Sequence, residues 1–428
     1  MKLEILDEKT YLDFALKNKY ISIYQLPNWG KLKSKTGWIT HLVGIYDNSS
    51  LIGVTMLLQK KLPLNQSLFY SPRGYLLDVT NFKLLKEFHE LVIKYVKDNH
   101  GFMLKVDPNV FLNIRDSEGN IKEEIGKDIY FNFKKLGFKH LGFTQNFETL
   151  QPRFLCRFKL KDTYNDTLNS FTKSVKKNII KTEDMGVRVK KIDENDIDIF
   201  TKLLNETGKS KNFIVRPESY YKEQYLLLKD YITLYLAYID TSLYHEYVYN
   251  TLENTKKELA NLRTEMKKIN IGDKIKKREK DLDNKVKKLT LELEEAKSLK
   301  KSNKEIPIGA LMSVFIGNEG ITFMSGTNSL YKEFNPKYAY YNAHIKDTLE
   351  RKLANVNFYG ISGDVRKESP YYNIYEIKKG FNPEIIELIG EFDYVINPLV
   401  YFGYKQALKL YKFLKKHKQV IEKNSLEL

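Results

Sequence analysis

Several things are scarce in this chain of 428 residues, and each shortage excludes something. There is one cysteine, Cys156, so no disulfide framework holds the fold and a reducing compartment suits it. Cys156 stands in an alternating strand-like stretch and reads as a small buried hydrophobe rather than a nucleophile. The seven histidines are scattered, with no pair at metal-ligand spacing, which argues against a metal enzyme. There is no glycine-rich phosphate loop ending in Lys-Ser/Thr, no Gly-x-Gly-x-x-Gly after a strand and no Gly-x-Ser-x-Gly elbow. No apolar run approaches the roughly 20 residues of a membrane span, and no signal peptide opens the chain. The expectation is a cytoplasmic protein, at most touching a membrane face from inside.

Charge is abundant but unbalanced. Lys and Arg number 71 against 54 Asp and Glu, a net +17. Such a field favours polyanions: nucleic acid, an anionic membrane face or a phosphorylated ligand. The chain is also too long for one ordinary core, so two or three domains are expected.

The most regular stretch is Leu243 to Lys304. Val248, Leu252, Thr255, Leu259, Leu262, Met266 and Ile269 repeat at 4-3 spacing, the a/d seam of a heptad. Asn270-Ile271-Gly272-Asp273 ends that helix. A second seam follows through Ile275, Leu282, Val286, Leu289, Leu293 and Ala296, with Glu279 falling on the stripe. Two helices joined by a tight turn predict an antiparallel coiled-coil hairpin with arms about 40 Å long. It carries 17 basic and 11 acidic residues, about a third of the net charge. It reads equally as a grip for a partner or as a solvated strut.

Elsewhere the periodicity switches between two and 3.6. A helix is expected over Asp7–Asn18, then strands His41–Asp47 and Leu51–Lys60 about the turn Asp47–Ser50, strand Leu68–Val79, helix Phe82–Asp98 and strand Phe102–Val110. Later come strand Gln151–Leu160, a basic helix Asn165–Lys181, strands Leu234–Asp240, Ile308–Ile316 and Ile321–Ser325, helix Lys337–Asn355 and strand Val356–Ile361. Both halves read strand, connection, strand, turn, strand, helix, strand. The coiled coil replaces the four-residue connection of the first half, an inexpensive insertion because closure entropy grows slowly with loop length. Asn373–Phe381 and Glu387–Val395 read as strands. Tyr404–Glu422 reads as a basic amphipathic helix, a solvated face or a membrane-lying one.

Strand-end residues of both signs remain as the chemistry. Asp107-Pro108, Arg216-Pro217 and Lys378-Lys379-Gly380 can hold a phosphate and stabilise an oxyanion. In order, Asn28-Trp29-Gly-Lys-Leu-Lys33, Tyr70-Ser-Pro-Arg-Gly, Lys105-Val-Asp107-Pro108, Leu150-Gln-Pro-Arg153, the basic helix Lys173–Lys181, Asn212–Tyr220, Asn357–Gly363, Ile377–Asn382 and Leu388–Asp393 carry a resemblance. Together they resemble the FemABX aminoacyltransferases, which build the interpeptide bridges of peptidoglycan, and most closely the coiled-coil-bearing staphylococcal and streptococcal type.

The resemblance implies an α/β fold of two GNAT-like domains with mixed sheets and an inserted antiparallel coiled-coil hairpin. The boundaries expected are 1–147 for the first domain, with 396–428 packing on it, then 148–242 and 305–395 for the second and 243–304 for the arm. It implies transfer of Gly, Ser or Ala from aminoacyl-tRNA to a stem-peptide amine of an undecaprenyl-pyrophosphate-linked precursor, with no metal or small cofactor. The implied partners are aminoacyl-tRNA, that precursor, the inner membrane face and related transferases in a homo- or hetero-oligomer. Lys33 and Arg216 match phosphate-binding positions and Tyr220 a groove-lining aromatic. Asp107 matches a carboxylate that accepts a proton or orients the amine, and Lys378 a lysine at the oxyanion or the tRNA terminus. One position departs: Met324 stands where some members carry Tyr. The same resemblance admits an immunity factor that alters the bridge against an endopeptidase. Charge and coiled coil alone also admit a non-catalytic tRNA- or ribosome-binding protein.

Overall fold

The structure, a computed structural model, describes residues 1–211, 214–266 and 272–424. Two compact units emerge. One holds Met1–Arg157, Tyr359–Tyr375 and the chain from Glu384 onward; the other holds Phe158–Phe358 and Glu376–Pro383.

In the first unit a mixed sheet runs in the order Lys2–Ile5, Ile39–Asp47, Ser50–Leu62, Gln66–Ser71, Gly101–Val106, Phe392–Val395, Lys139–His140. All neighbours are antiparallel except Gln66–Ser71 with Gly101–Val106. Helix Phe82–Asp98 makes the crossover between that parallel pair. Asn81 caps it by accepting from the Leu84 N–H at 3.1 Å. Its buried Leu85, Phe88, Val92 and Val96 follow the helical period and meet Val43, Leu57, Phe69, Phe133 and Phe392 in the core.

In the second unit Val187–Ile192, Ile232–Asp240, Glu305–Ile316, Glu319–Thr327 and the part of strand Asn355–Ile361 up to Phe358 lie side by side. Again only the last pair is parallel. Helices Ile197–Lys211 and Glu218–Leu228 precede the second strand, as Glu8–Ala15 and Pro27–Ser34 do in the first unit. Pro336–Glu350 occupies the place of Phe82–Asp98. Each unit therefore runs strand, two helices, three strands, helix, strand, and the repeat extends one strand and two helices further than the sequence pattern indicated.

The insertion point is visible in the register. Asp47 pairs with Ser50 in the first unit, and Asp240 pairs with Glu305 in the second. Between them lie helices Thr241–Met266 and Asp273–Ser302. Asp240 accepts from the Ser242 and Leu243 N–H groups at 3.0 and 3.1 Å, and Thr241 Oγ1 donates to Asn303 O at 2.6 Å. Both ends of the helix pair are thereby stitched together at the sheet. Of the expected seam, Val248, Leu252, Thr255, Leu259, Leu262, Leu282, Leu289, Leu293 and Ala296 are buried, Met266 and Val286 are partly buried and Ile275 is exposed. Arg263 pairs with Glu279 and Asp283, and Arg278 with Glu258, so Glu279 on the stripe is answered across the pair. Ile269 and the turn residues Asn270 and Ile271 lie outside the described residues.

Some elements differ from expectation. Asn373–Phe381 is not a strand; helix Tyr372–Lys379 forms there. Tyr375 and Lys378 are its buried positions, and a lysine inside the buried stripe disguised the helical period. The basic helix expected over Asn165–Lys181 is two, Tyr164–Asn169 and Lys173–Asp184. Phe171 turns into the core between them and Thr172 caps the second. Glu387–Val395 is split into Glu384–Leu388 and Phe392–Val395 by Gly390, whose φ of 94 only glycine adopts readily. The first of these strands pairs with Phe111–Arg115 and with Phe154–Lys159, the second with Gly101–Val106. Hence residues from Glu384 onward, and Tyr359–Tyr375, belong with the first unit and not with the 305–395 segment expected to complete the second domain. Cys156 is buried in strand Phe154–Lys159. The C-terminal helix spans Pro398–Asn424. Of its expected basic face, Lys412, Lys415, Lys416, His417 and Lys418 have side chains outside the described residues.

Because the hairpin closes at Asp240 and Glu305, replacing 243–302 with a short turn is expected to leave a folded protein. Thermal unfolding should stay cooperative, with Tm within about 5 °C of the full chain, a shift of roughly 1 to 2 kcal/mol for a chain this size.

Candidate active site

Parallel neighbours diverge past their carboxyl ends, where chain segments are released from pairing. Tyr70 pairs with Lys105 and Ser71 with Val106, and two turns follow: Pro72-Arg73-Gly74 and Asp107-Pro108. Arg73 takes φ 56, and its N–H donates to Asp107 Oδ1 at 2.8 Å. Its Nε lies 3.7 Å from Asp107 Oδ2, and its Nη2 donates to Pro152 O at 2.9 Å. Gln25 secures the other side: its Nε2 donates to Pro72 O at 2.6 Å, while its Oε1 accepts from Met56 N–H and Tyr11 Oη. Gly74 is required here, because a Cβ would fall 2.0 Å from Ser71 Oγ.

Asp107 is 2% exposed. Burial pushes its carboxyl up to about 6 although Arg73 pulls the other way. Asp107 Oδ2 and the buried Tyr70 Oη share no hydrogen bond of ordinary geometry, yet the two groups interact, Tyr70 favouring the ionised carboxylate. Tyr24 Oη and Tyr359 Oη lie 2.7 Å apart, and Tyr359 donates to Gln151 Oε1 at 2.9 Å. Tyr24 stands edge-on to Trp29, over whose ring Lys33 Nζ lies at 4.7 Å from the centroid.

A second set of buried charges backs this one. Lys105 Nζ reaches Glu391 at 3.2 Å and Asp393 at 2.8 Å. Glu387 accepts from Arg153 at 2.7 Å, Arg115 at 2.6 Å and Asn113 at 2.8 Å. Burial alone would raise the Glu387 carboxyl, but Asn113, Arg153 and Arg115 together hold it below its usual value.

The second unit carries the other three residues. Lys378 is buried, and its Nζ donates to Phe358 O at 2.6 Å, beneath an aromatic cluster of Phe158, Phe171, Tyr341, Phe358 and Phe381. Arg216 is exposed, with its guanidinium 5.7 Å from the Tyr220 ring centre, and its N–H donates to Tyr221 Oη at 3.3 Å. Burial raises the Tyr220 phenol. Asn212 and Phe213, which open this motif, lie outside the described residues. Lys337 opens helix Pro336–Glu350 with its ammonium held below its usual value by burial and by Lys211.

Within each unit, then, the expected residues have partners. Asp107 joins Arg73, Lys33 joins Trp29, Arg216 joins Tyr220, and Lys378 joins a strand carbonyl. Sequence reasoning missed Arg73, Tyr70, Tyr24, Tyr359 and Glu391. Arg73 and Tyr70 had a signal, since Tyr70-Ser-Pro-Arg-Gly interrupts a strand pattern; Tyr24 and Tyr359 are two among 30 tyrosines in the chain.

Glu387→Gln leaves Arg153, 3% exposed, without a counter-charge. Urea unfolding should show a loss of about 3 kcal/mol or more. Glu384→Gln, which breaks the exposed pair with Lys122, should cost under about 1 kcal/mol.

The profile of the FemAB family matches residues 6–409. Aminoacyltransferase FemA of Staphylococcus epidermidis is 30% identical over 418 residues, covering 96% of this chain and 100% of that protein. Aminoacyltransferase FemA of Staphylococcus aureus is 30% identical over 416 residues, covering 96% and 99%. Among solved structures, the crystal structure of FemX superposes with a TM-score of 0.74 at 24% identity, covering 94% of this chain and 99% of that one, and so shares its fold. Motif order, fold and full-length similarity converge, and the chain belongs to the FemAB family and is an aminoacyltransferase.

Proposed function

We propose that the chain moves glycine, serine or alanine from aminoacyl-tRNA to a stem-peptide amine of a lipid-linked peptidoglycan precursor, building the interpeptide bridge. The observation that carries the reading is the buried Arg73–Asp107 clamp at the ends of the parallel strands, on an aminoacyltransferase chain without an accessible thiol. An activated ester meeting an amine needs no covalent enzyme intermediate. It needs the two groups held in line, a proton accepted and an oxyanion stabilised. Asp107 is the orienting carboxylate, its ionised form fixing the Arg73 turn. Lys378 holds the oxyanion or the tRNA terminus, Lys33 and Arg216 take phosphates, and Tyr220 lines the acceptor groove. Membership in a family of aminoacyltransferases sets aside the non-catalytic RNA-binding alternative. A bridge-altering immunity role uses the same chemistry.

Each unit reads as a GNAT-like domain, and the helix pair as an antiparallel coiled-coil arm that grips tRNA. No helix among the described residues is long and apolar enough to cross a membrane. The protein works at the cytoplasmic membrane face through helix Pro398–Asn424, where Leu399, Phe402, Leu410, Phe413 and Leu414 are exposed beside Lys405 and Lys409. It associates there with itself or with related transferases.

The decisive assay gives the protein charged tRNA and lipid-linked precursor and looks for a branched stem peptide by mass spectrometry. No transfer from glycyl-, seryl- or alanyl-tRNA sinks the reading. Lys378→Ala should lower kcat by about a hundredfold, a typical cost of one lost oxyanion donor, with precursor binding retained; lost binding alone reassigns it. The arm-trimmed chain should transfer more slowly from full-length tRNA.

The Asp107 carboxyl binds its proton more tightly folded than unfolded, about 6 against 3.8. The clamp is therefore charged only as pH rises past about 6, and the rate should climb across pH 5 to 7. Asp107→Asn should flatten that limb; an unchanged limb assigns it elsewhere.

A further inference from the structure

Away from the clamp, helix Phe82–Asp98 and helix Lys127–Lys135 border a groove of about 490 Å³ in the first unit. Lys86, Lys94 and Lys97 line it from the first helix and Lys135 from the second. Lys86 to Lys97 spans eleven residues of one helical stripe, about 16 Å at 1.5 Å per residue. Glu90 and Asp98 are the acidic groups in the wall, so the balance is positive; Glu90 is shared with Lys86 at 3.8 Å, both exposed.

The floor supplies an independent observation. His89 is 2% exposed, and its Nδ1 lies 3.1 Å from the buried Tyr75 Oη. Its Nε2 is buried without any hydrogen bond. Burial pushes this ring down to about 3, so it is neutral and carries one N–H. His89 Nδ1 and the Tyr75 hydroxyl share one hydrogen bond, and Nε2 is the ring nitrogen left without one, in the wall of a groove lined by four lysines. Such a set calls for an oxyanion.

We propose that this groove binds a phosphodiester stretch of RNA, with Lys86, Lys94 and Lys97 on phosphates. This rests on the tRNA-borne donor of the preceding section and names a surface that holds it. The shape favours RNA over a bilayer. The groove is concave, and among the described residues helix Phe82–Asp98 has no exposed large hydrophobic side chain. A lipid surface is met by apolar side chains flanked by lysine, and those lie on the C-terminal helix.

The test measures anisotropy of unacylated tRNA with the full-length protein over a salt series. The triple reversal Lys86→Glu, Lys94→Glu, Lys97→Glu should weaken binding at least tenfold and lower the salt slope by about two. The Lys→Arg triple should stay within twofold of wild type, and so should reversal of the exposed Lys9 and Lys17. Unchanged tRNA binding by the triple reversal overturns the groove while leaving the donor reading intact. A wild-type protein that binds no tRNA removes donor reading and groove together. If the reversal abolishes binding to phosphatidylglycerol vesicles instead, the groove serves a membrane and the proposal is wrong.

Discussion

Charges withdrawn from water must be answered, and in the first unit those answers come from far along the chain. Arg153 and Arg115 meet Glu387, and Lys105 meets Glu391 and Asp393. An ion moved into the interior costs several kcal/mol unless its partner arrives with good geometry. The segment from Glu384 to Val395 must therefore return to the first unit in one register. A slip of one residue in strand Glu384–Leu388 would turn Glu387 to the opposite face and strand Arg153. The same return lays Phe392–Val395 beside Gly101–Val106, the strand that ends at Asp107. The clamp at Asp107 thus depends on ion pairs whose acidic halves lie more than 200 residues away.

The duplication explains how the chain accommodates its helix pair. The two units share strand order and the single parallel pairing, so each has a hairpin between its second and third strands. That hairpin needs only its strand ends paired, and closure entropy rises slowly with what lies between them. Thr241 Oγ1, donating to the Asn303 carbonyl, closes the insertion at its base much as a short turn closes its counterpart. The rest of the helix pair supplies its own seam and its own cross-pair arginine contacts.

What the sequence revealed followed periodicity strong enough to survive local exceptions. The Phe82–Asp98 stripe and the Asp47–Ser50 hairpin appear where they were expected, and two helices occupy the heptad-patterned stretch. Lys2–Ile5, Val187–Ile192 and the hairpin of Phe111–Arg115 with Ile121–Glu124 escaped notice because short strands carry too few alternations. Helix Tyr372–Lys379 was mistaken for a strand because its buried stripe includes Lys378, which only a carbonyl partner makes tolerable there. At the site, turn chemistry marked Pro72-Arg73-Gly74 and Asp107-Pro108, since proline and glycine are legible one residue at a time. That the two turns clamp each other was not legible, because it depends on two strands 35 residues apart lying parallel. The Tyr24–Tyr359 contact was hidden for the same reason at far greater separation.

The distribution of polar groups also bears on what kind of catalyst this is. A nucleophilic mechanism concentrates its expense in one activated side chain and the base beside it. Here the one cysteine is buried, and at the strand ends Asp107 and Tyr70 adjoin a guanidinium that is already engaged. Such an arrangement resists movement more than it attacks. That suits the proposed reaction, whose driving force is stored in a donor ester, leaving alignment as the protein's main task. It also suits a charge surplus spread over separate surfaces. The arginines of the helix pair are occupied in holding it together, so its outward field comes from lysines, and the C-terminal helix sets lysine beside exposed leucine and phenylalanine. The proposed tRNA donor and lipid-borne acceptor differ in shape, and one uniform positive field would not distinguish them. Surfaces of different curvature and apolarity would.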